Sequence, residues 1–179
     1  QSMRDVINKG ISDEDIETAA EIAFSNGWNR IKMYFMIGLP TETDEDVLGI
    51  AATAIKVQEI GKRLGPRGVK VVVSVSSLVP KASSTFQWVK FDGVENLQRK
   101  QAVLREELRR FRNIDLKLHE PRVSRLEAIF SRGDRRIGRV MEQAWRDGAR
   151  FDEWSDYFSE SRWNAAFEAC GVDPAPWID

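Results

Sequence analysis

The sequence predicts an α/β fold in which parallel strands alternate with helices. Two short segments are rich in apolar and β-branched residues, as strands buried on both faces are: "IKMYFMI" at 31–37 and "VKVVVSVSSL" at 69–78. Longer segments with apolar residues at helical spacing lie before, between and after them. This alternation is typical of parallel sheets, whose strands are joined by right-handed helical crossovers.

Capping residues predict where the helices that alternate with these strands begin and end. Ser12 followed by Asp15 predicts a capping box at the start of the first helix, and Gly27 predicts its end. Thr43 predicts the start of the second helix, whose first turn is acidic and therefore suits the helix dipole. A long amphipathic helix follows the second strand, and "IDLKLH" predicts a short final strand.

From Pro121 onward the pattern is wholly helical. Pro121 suits the first position of a helix, and Asp134 and Ser159 predict the starts of two more. We therefore predict an α/β part over 1–120 and a helical extension over 121–179. The six tryptophans cluster late in the chain and as a group predict the core of this extension, although an interface is the alternative for Trp154.

The composition is that of an ordinary globular protein, with 42% hydrophobic and 31% charged residues and a net charge of −1. No apolar run approaches the roughly 20 residues of a membrane span. A single cysteine, Cys170, excludes an internal disulfide framework and favours a reducing, cytoplasmic location. The opening "QSMRDVINKG" lacks a start methionine, which we interpret as the sign of a fragment of a longer protein.

Charge is distributed unevenly along the second half of the chain. Residues 95–150 hold 15 basic and 9 acidic side chains, whereas 151–179 hold 1 and 7. One hypothesis is that the two segments attract each other. The other is RNA binding through the arginine-rich segment 99–150, around "RGDRRIGR", which would make the chain a non-catalytic α/β binding module.

Two turns at strand ends carry residues suited to ligand binding, because ligands of parallel α/β folds bind beyond the carboxyl ends of the strands. Gly38 lets the backbone approach a ligand closely, and Pro40 keeps Leu39 out of helical geometry. After the second strand, Val79 and Pro80 offer an apolar wall and free backbone groups that suit a flat ligand such as adenine.

The residues on the faces of the two predicted strands also indicate a functional site. Lys32, Tyr34 and Met36 share one face of the first strand, while the opposite face is wholly apolar and is predicted to pack on helices. Ser74 and Ser76 share a face of the second strand. Two neighbouring polar faces favour a functional interior, with a tolerated polar layer as the alternative.

These segments together resemble the second half of a radical S-adenosylmethionine (SAM) enzyme barrel. "YFMIGLPTETDEDV" resembles its fifth-strand motif, "SVSSLVPKASSTFQW" its sixth strand and exit loop, and "QSMRDVINKGISDEDI" the segment after its fourth strand. The resemblance covers roughly 1–119 and implies the C-terminal half of a TIM-like barrel. The tail "LHEPRVSRLEAIFSRGDRRIGRVMEQAWRDGARFDEW" is similar to that of a branch of iron–sulfur oxidoreductases in which a cobalamin-binding domain precedes the barrel.

The resemblance also implies roles for single residues. By position, Met36 contacts adenine, although that motif more often has isoleucine there, and Arg4 reaches the SAM carboxylate. The other implied cofactor contacts lie in the two turns: Gly38, Leu39, Pro40, Glu42, Val79 and Pro80. The implied substrate-side residues lie on the polar strand faces: Lys32, Tyr34, Ser74 and Ser76.

One part of the family pattern is missing. Radical SAM enzymes hold a [4Fe–4S] cluster in a CxxxCxxC loop, and this chain has Cys170 alone. The resemblance therefore implies a fragment without activity of its own, cut from a parent that cleaves SAM reductively to a 5′-deoxyadenosyl radical. The expected partners are the missing N-terminal half of that polypeptide and, through an exposed sheet edge, a second copy.

Overall fold

The computed structural model describes residues 2–154 and 156–178. Gln1 and Asp179, which bound the two predicted parts, and Ser155 lie outside the described residues. The chain divides into two compact units, the first comprising 1–76 and 95–119 and the second 77–94 and 120–179. None of the described helices combines the length and the apolar character needed to cross a membrane.

The first unit is α/β, as predicted, and its three strands form one parallel sheet in the order β1-β2-β3. Val73 of the central strand is in register with Leu116. The helices and strands, in chain order, are α1 (Ser2–Val6), α2 (Asp13–Ser25), β1 (Arg30–Ile37), α3 (Asp44–Leu64), β2 (Lys70–Ser77), α4 (Val94–Leu108) and β3 (Ile114–Leu118).

Burial alternates along β1 as the sequence predicts. Ile37 is fully buried, whereas Tyr34 on the opposite face is 68% exposed. In β2, Val71 and Val73 have no measurable exposure. The apolar sides of the strands therefore form the core of the unit together with α2, α3 and α4, whose buried stripes carry residues such as Phe24, Val47, Ala54, Leu97 and Leu104.

The predicted capping box at Ser12 is present, and Thr43, the predicted start of the next helix, forms a second one. The Ser12 hydroxyl accepts a hydrogen bond from the Asp15 N–H (3.0 Å), and the Asp15 carboxylate accepts one from the Ser12 N–H (2.8 Å). At the start of α3, the Asp46 carboxylate accepts hydrogen bonds from the Thr43 N–H (2.9 Å) and from the Ser2 hydroxyl (2.7 Å). Asp46 therefore caps α3 and fastens α1 to it.

These bonds make part of the stability dependent on pH. The hydrogen bonds from Ser2 and Thr43 hold the pKa of the Asp46 carboxyl below its ordinary value of 3.8. A carboxyl whose pKa is depressed by folding contributes stability above its unfolded pKa, and this contribution is lost as the pH falls through the folded pKa. We expect Asp46→Asn to lower the free energy of urea unfolding at neutral pH, and the difference from the natural chain to shrink below about pH 4.

Glu45→Gln is the matched control, because Glu45 lies in the same helical turn and makes no capping hydrogen bond there. An Asp46→Asn deficit that is the same at neutral and acid pH would contradict the expected role.

Helix α3 approaches α2 closely at Gly61. A Cβ at this position would lie 2.9 Å from two ring carbons of Phe24 and 3.0 Å from a methyl group of Val69. Phe24 is itself only 1% exposed, so its ring is enclosed by the core of the unit. Gly49, on the same helix, has no neighbouring atom within 4 Å of such a Cβ.

The two glycines therefore predict opposite effects. We expect Gly61→Ala to lower the free energy of unfolding by about 1–3 kcal/mol, since overpacking outweighs the gain in helix propensity. Gly49→Ala brings only the gain in helix propensity, and we expect it to raise the free energy of unfolding by up to about 1 kcal/mol. Urea unfolding of the two variants tests this, and effects of the same sign would show that Gly61 is not a packing constraint.

The second unit is helical, with α5 (Pro121–Arg132), α6 (Arg136–Arg146), α7 (Glu160–Ala169) and a short 3₁₀-helix (Ala175–Trp177). Pro121 occupies the first turn of α5 and Ser159 caps α7, as predicted. Asp134 is not the cap of α6. Arg135 occupies that position without a side-chain capping bond, although Asp134 accepts a hydrogen bond from the Arg136 N–H (2.9 Å).

The interpretation of the tryptophans as core residues is wrong for most of them. Trp163 is buried at 7% exposure, but the exposures of Trp28, Trp88, Trp145 and Trp154 lie between 58% and 87%. On α6 the buried stripe consists of Ile137, Val140 and Ala144. Trp145 is one position, or about 100° of rotation, beyond that stripe and therefore faces solvent.

Candidate functional site

The turn that follows β1 is closed by its own side chains. Gly38 has φ +82°, in the left-handed region that glycine adopts without strain. Its N–H donates a hydrogen bond of 3.0 Å to the Glu42 carboxylate. The chain thus turns back toward α3 immediately beyond the carboxyl end of β1, where the sequence predicts a turn.

Glu42 is also half of a buried ion pair. Its Oε1 lies 2.7 Å from Nζ of Lys100 on α4, and the two side chains are 2% and 4% exposed. The carboxylate therefore accepts from a backbone amide and an ammonium group at once, which compensates for its removal from water. Glu42, a predicted cofactor contact, serves here to fasten the turn to α4.

A groove of about 730 Å³ lies beside β1. Its walls come from α1, α2, β1, α3 and the end of β2, with apolar side chains such as Ile7, Ile16 and Ile50 among them. Six of the predicted site residues line it: Arg4, Tyr34, Met36, Leu39, Glu42 and Ser76. The structure therefore brings together residues that are up to 72 positions apart in the sequence.

Two ion pairs lie in the groove lining. Arg4 forms an ion pair with Asp13, and Lys56 forms one with Glu17. The hydrogen bond from Arg4 holds the pKa of the Asp13 carboxyl below its ordinary value. A ligand carboxylate that binds Arg4 must therefore compete with Asp13.

The other predicted residues lie outside the groove lining. The ammonium of Lys32 lies 4.5 Å from the centre of the Tyr34 ring, an arrangement typical of a cation–π contact. Ser74 is half-buried, and the turn residues Gly38 and Pro40 flank Leu39. By contrast, Ser76 is one of the six residues that line the groove, and it donates a hydrogen bond of 3.3 Å to the Phe35 carbonyl. Val79 and Pro80 belong to the second unit, where Val79 is half-buried and Pro80 is buried.

The described residues do not fit an iron–sulfur cluster. Cys170, at the end of α7 in the second unit, is half-buried and is the chain's one thiol. Within 2–154 and 156–178, no three His, Cys, Asp or Glu side chains are grouped as metal ligands. A cluster with several thiolate ligands therefore has to be held outside this chain.

Sequence reasoning missed Lys100, the partner of Glu42. The signal was present, because Leu97, Gln101 and Leu104 place Lys100 inside the buried stripe of α4. A lysine at a core position of a helix requires a buried counter-charge, and acidic residues of a preceding strand-end turn are natural candidates.

Comparison with known proteins gives one informative similarity. Over 92 residues the chain is 35% identical to an uncharacterized protein of Methanocaldococcus jannaschii. The aligned residues are 51% of this chain and 19% of that protein, so the chain spans about a fifth of the length of the curated relative it matches. No family model matches the chain, and no solved structure matches it.

The buried ion pair yields a stability test. We expect Lys100→Met to lower the free energy of unfolding by about 3–5 kcal/mol, because it leaves the Glu42 carboxylate buried without its counter-charge. The double variant Glu42→Gln/Lys100→Met removes both charges and should recover part of that loss. Urea unfolding provides the measurement.

Lys56→Met is the control, since Lys56 also pairs with a glutamate but is 58% exposed. Its effect should stay within about 1 kcal/mol. If the double variant is as unstable as Lys100→Met alone, the loss comes from packing and not from an unpaired charge.

Proposed function

We propose that this chain is part of a radical SAM enzyme, in which it helps to position the adenosyl group of SAM. The observation that carries the proposal is the turn beyond β1. Gly38 adopts a left-handed conformation there, and Glu42 and Lys100 hold it in place. Met36 and Leu39, on either side of Gly38, both line the groove.

The groove supports this assignment by its size and lining. Its volume of about 730 Å³ is within the range of roughly 300–1,000 Å³ that small-molecule sites have. Met36 offers an apolar contact for adenine, and Arg4 offers a cation for the SAM carboxylate once Asp13 is displaced. Lys32, Tyr34 and Ser76 are candidates for contact with the substrate.

On this proposal the chain is inactive alone. When bound, SAM would supply a 5′-deoxyadenosyl radical, with methionine as the leaving group, after one-electron reduction by a [4Fe–4S] cluster. The ligands of that cluster would come from another part of the parent protein, for which cobalamin is a further proposed cofactor. The proposed partner is the N-terminal half of the same polypeptide. It would pair with the outer edge of β1, which is the first strand of the sheet.

The proposal is tested on the protein encoded by the full reading frame. After anaerobic iron–sulfur reconstitution we expect a cluster whose electron paramagnetic resonance signal changes on addition of SAM. Addition of dithionite should then produce 5′-deoxyadenosine. A frame that extends no further than these residues and holds no cluster would overturn the proposal.

A substitution in the groove connects that activity to this chain. We expect Met36→Ala to raise the SAM concentration required for half-maximal 5′-deoxyadenosine formation by about tenfold, which corresponds to about 1.4 kcal/mol of lost apolar contact. Met141→Ala is the control, since Met141 is a similarly exposed methionine on α6. Equal effects of the two substitutions would remove Met36 from the site.

The alternative proposal is a binding module for RNA. Three arginines, Arg105, Arg109 and Arg112, line a shallow cavity of about 390 Å³ beside β3. Several other arginines are held by acidic side chains, among them Arg99 by Asp44 and Arg146 by Glu142. Filter binding of an RNA oligonucleotide at two salt concentrations separates the proposals, because phosphate contacts make affinity fall steeply with salt.

A further inference from the structure

Three aromatic side chains stand out from the second unit between α6 and α7. Phe151, Trp154 and Tyr157, here called the aromatic cluster, are 71%, 62% and 52% exposed. Their ring centres are 6.0 to 6.1 Å apart in every pairing. Neither the groove beside β1 nor the arginine-rich segment includes them.

The backbone explains why the rings meet. The Trp154 N–H donates to the Phe151 carbonyl (2.9 Å), and the Tyr157 N–H donates to the Trp154 carbonyl (2.9 Å). These two successive hydrogen bonds, each between residues three positions apart, bring the three side chains together. Other side chains anchor the segment: Phe158 packs against the core of the unit, and Asp152 forms an ion pair with Arg162 at 3.7 Å.

Folding alone gives no reason for this exposure. Phe151 has φ +56°, a left-handed conformation that a bulky side chain rarely adopts. Its ring remains mostly in water, so burial does not offset the strain. Backbone strain that packing does not explain is concentrated at binding sites.

The charges around the aromatic cluster indicate which partner it suits. Glu153 and Asp156 are exposed, and no side chain among the described residues forms a salt bridge with either. The nearby cations are engaged, Arg162 by Asp152 and Arg150 against the Trp145 ring at 4.8 Å. Aromatic faces attract cations, and unpaired carboxylates add to that attraction while they repel phosphate.

We propose that the aromatic cluster is a docking surface for a protein segment that presents arginine or lysine side chains. The cationic groups lie against the aromatic faces, and Glu153 and Asp156 pair with them at the rim. Aromatic side chains of this kind commonly supply most of the binding energy of a protein interface. The proposal does not depend on the function of the groove.

The test uses the 179-residue chain and a fluorescent peptide in which four arginines alternate with glycine. Anisotropy measures the dissociation constant, and the ¹⁵N-labelled chain reports which tryptophan indole N–H resonance shifts. We expect the Trp154 resonance to shift, and Trp154→Ala to raise the dissociation constant by about fivefold or more. Trp88→Ala, at an 87% exposed tryptophan outside the aromatic cluster, should leave it unchanged.

Two further measurements test whether binding depends on the carboxylates of this surface and on the positive charge of the peptide. Glu153→Gln/Asp156→Asn removes only the carboxylates and should raise the dissociation constant by about threefold, with circular dichroism verifying that the fold is intact. A glutamate-for-arginine peptide should not shift the Trp154 resonance. Equal affinity of Trp154→Ala and the natural chain, no measurable arginine-peptide binding, or a stronger response of Trp154 to oligouridylate would each overturn the proposal.

Discussion

The buried ion pair between the Glu42 carboxylate and the Lys100 ammonium group stabilises the turn at which the groove of the first unit ends. Glu42 accepts hydrogen bonds from Gly38 and Lys100 with almost no access to water. Charges in such a place are tolerated only when each is satisfied, so the turn, α4 and the glycine conformation depend on one another. Leu39, which lies in this turn and lines the groove, owes its position to that mutual dependence.

The groove lining also contains paired charges, and their side chains are more exposed to water than those of Glu42 and Lys100. Arg4 with Asp13 and Lys56 with Glu17 neutralise each other in a lining that mixes apolar side chains with further charged ones such as Lys9 and Glu45. The groove therefore offers a ligand both apolar surface and ion pairs. It favours a molecule that is mainly apolar and carries charged groups able to exchange with one of these pairs, because unpaired charge there would be costly.

Local chemistry explains what the sequence predicted correctly. The alternation of β1 and the caps at Ser12, Thr43 and Ser159 depend on a few adjacent residues, and all of them are confirmed. Helix α1 was missed, because five residues without an apolar stripe carry no periodic signal. The Lys100 partnership joins positions 58 apart and could be inferred only from a charge at a core position. The half-barrel and its SAM site remain predictions.

The contact between Gly61 and Phe24 has a consequence for how this unit can change over evolution. It lies next to Val69, at the amino end of β2, whereas the groove residues lie toward the opposite, carboxyl end of the strands. Tight packing at one end and an open groove at the other separate the requirements of folding from those of binding. Substitutions around Met36 can therefore change what the groove accepts without disturbing this contact, whereas a side chain at position 61 disturbs the core directly.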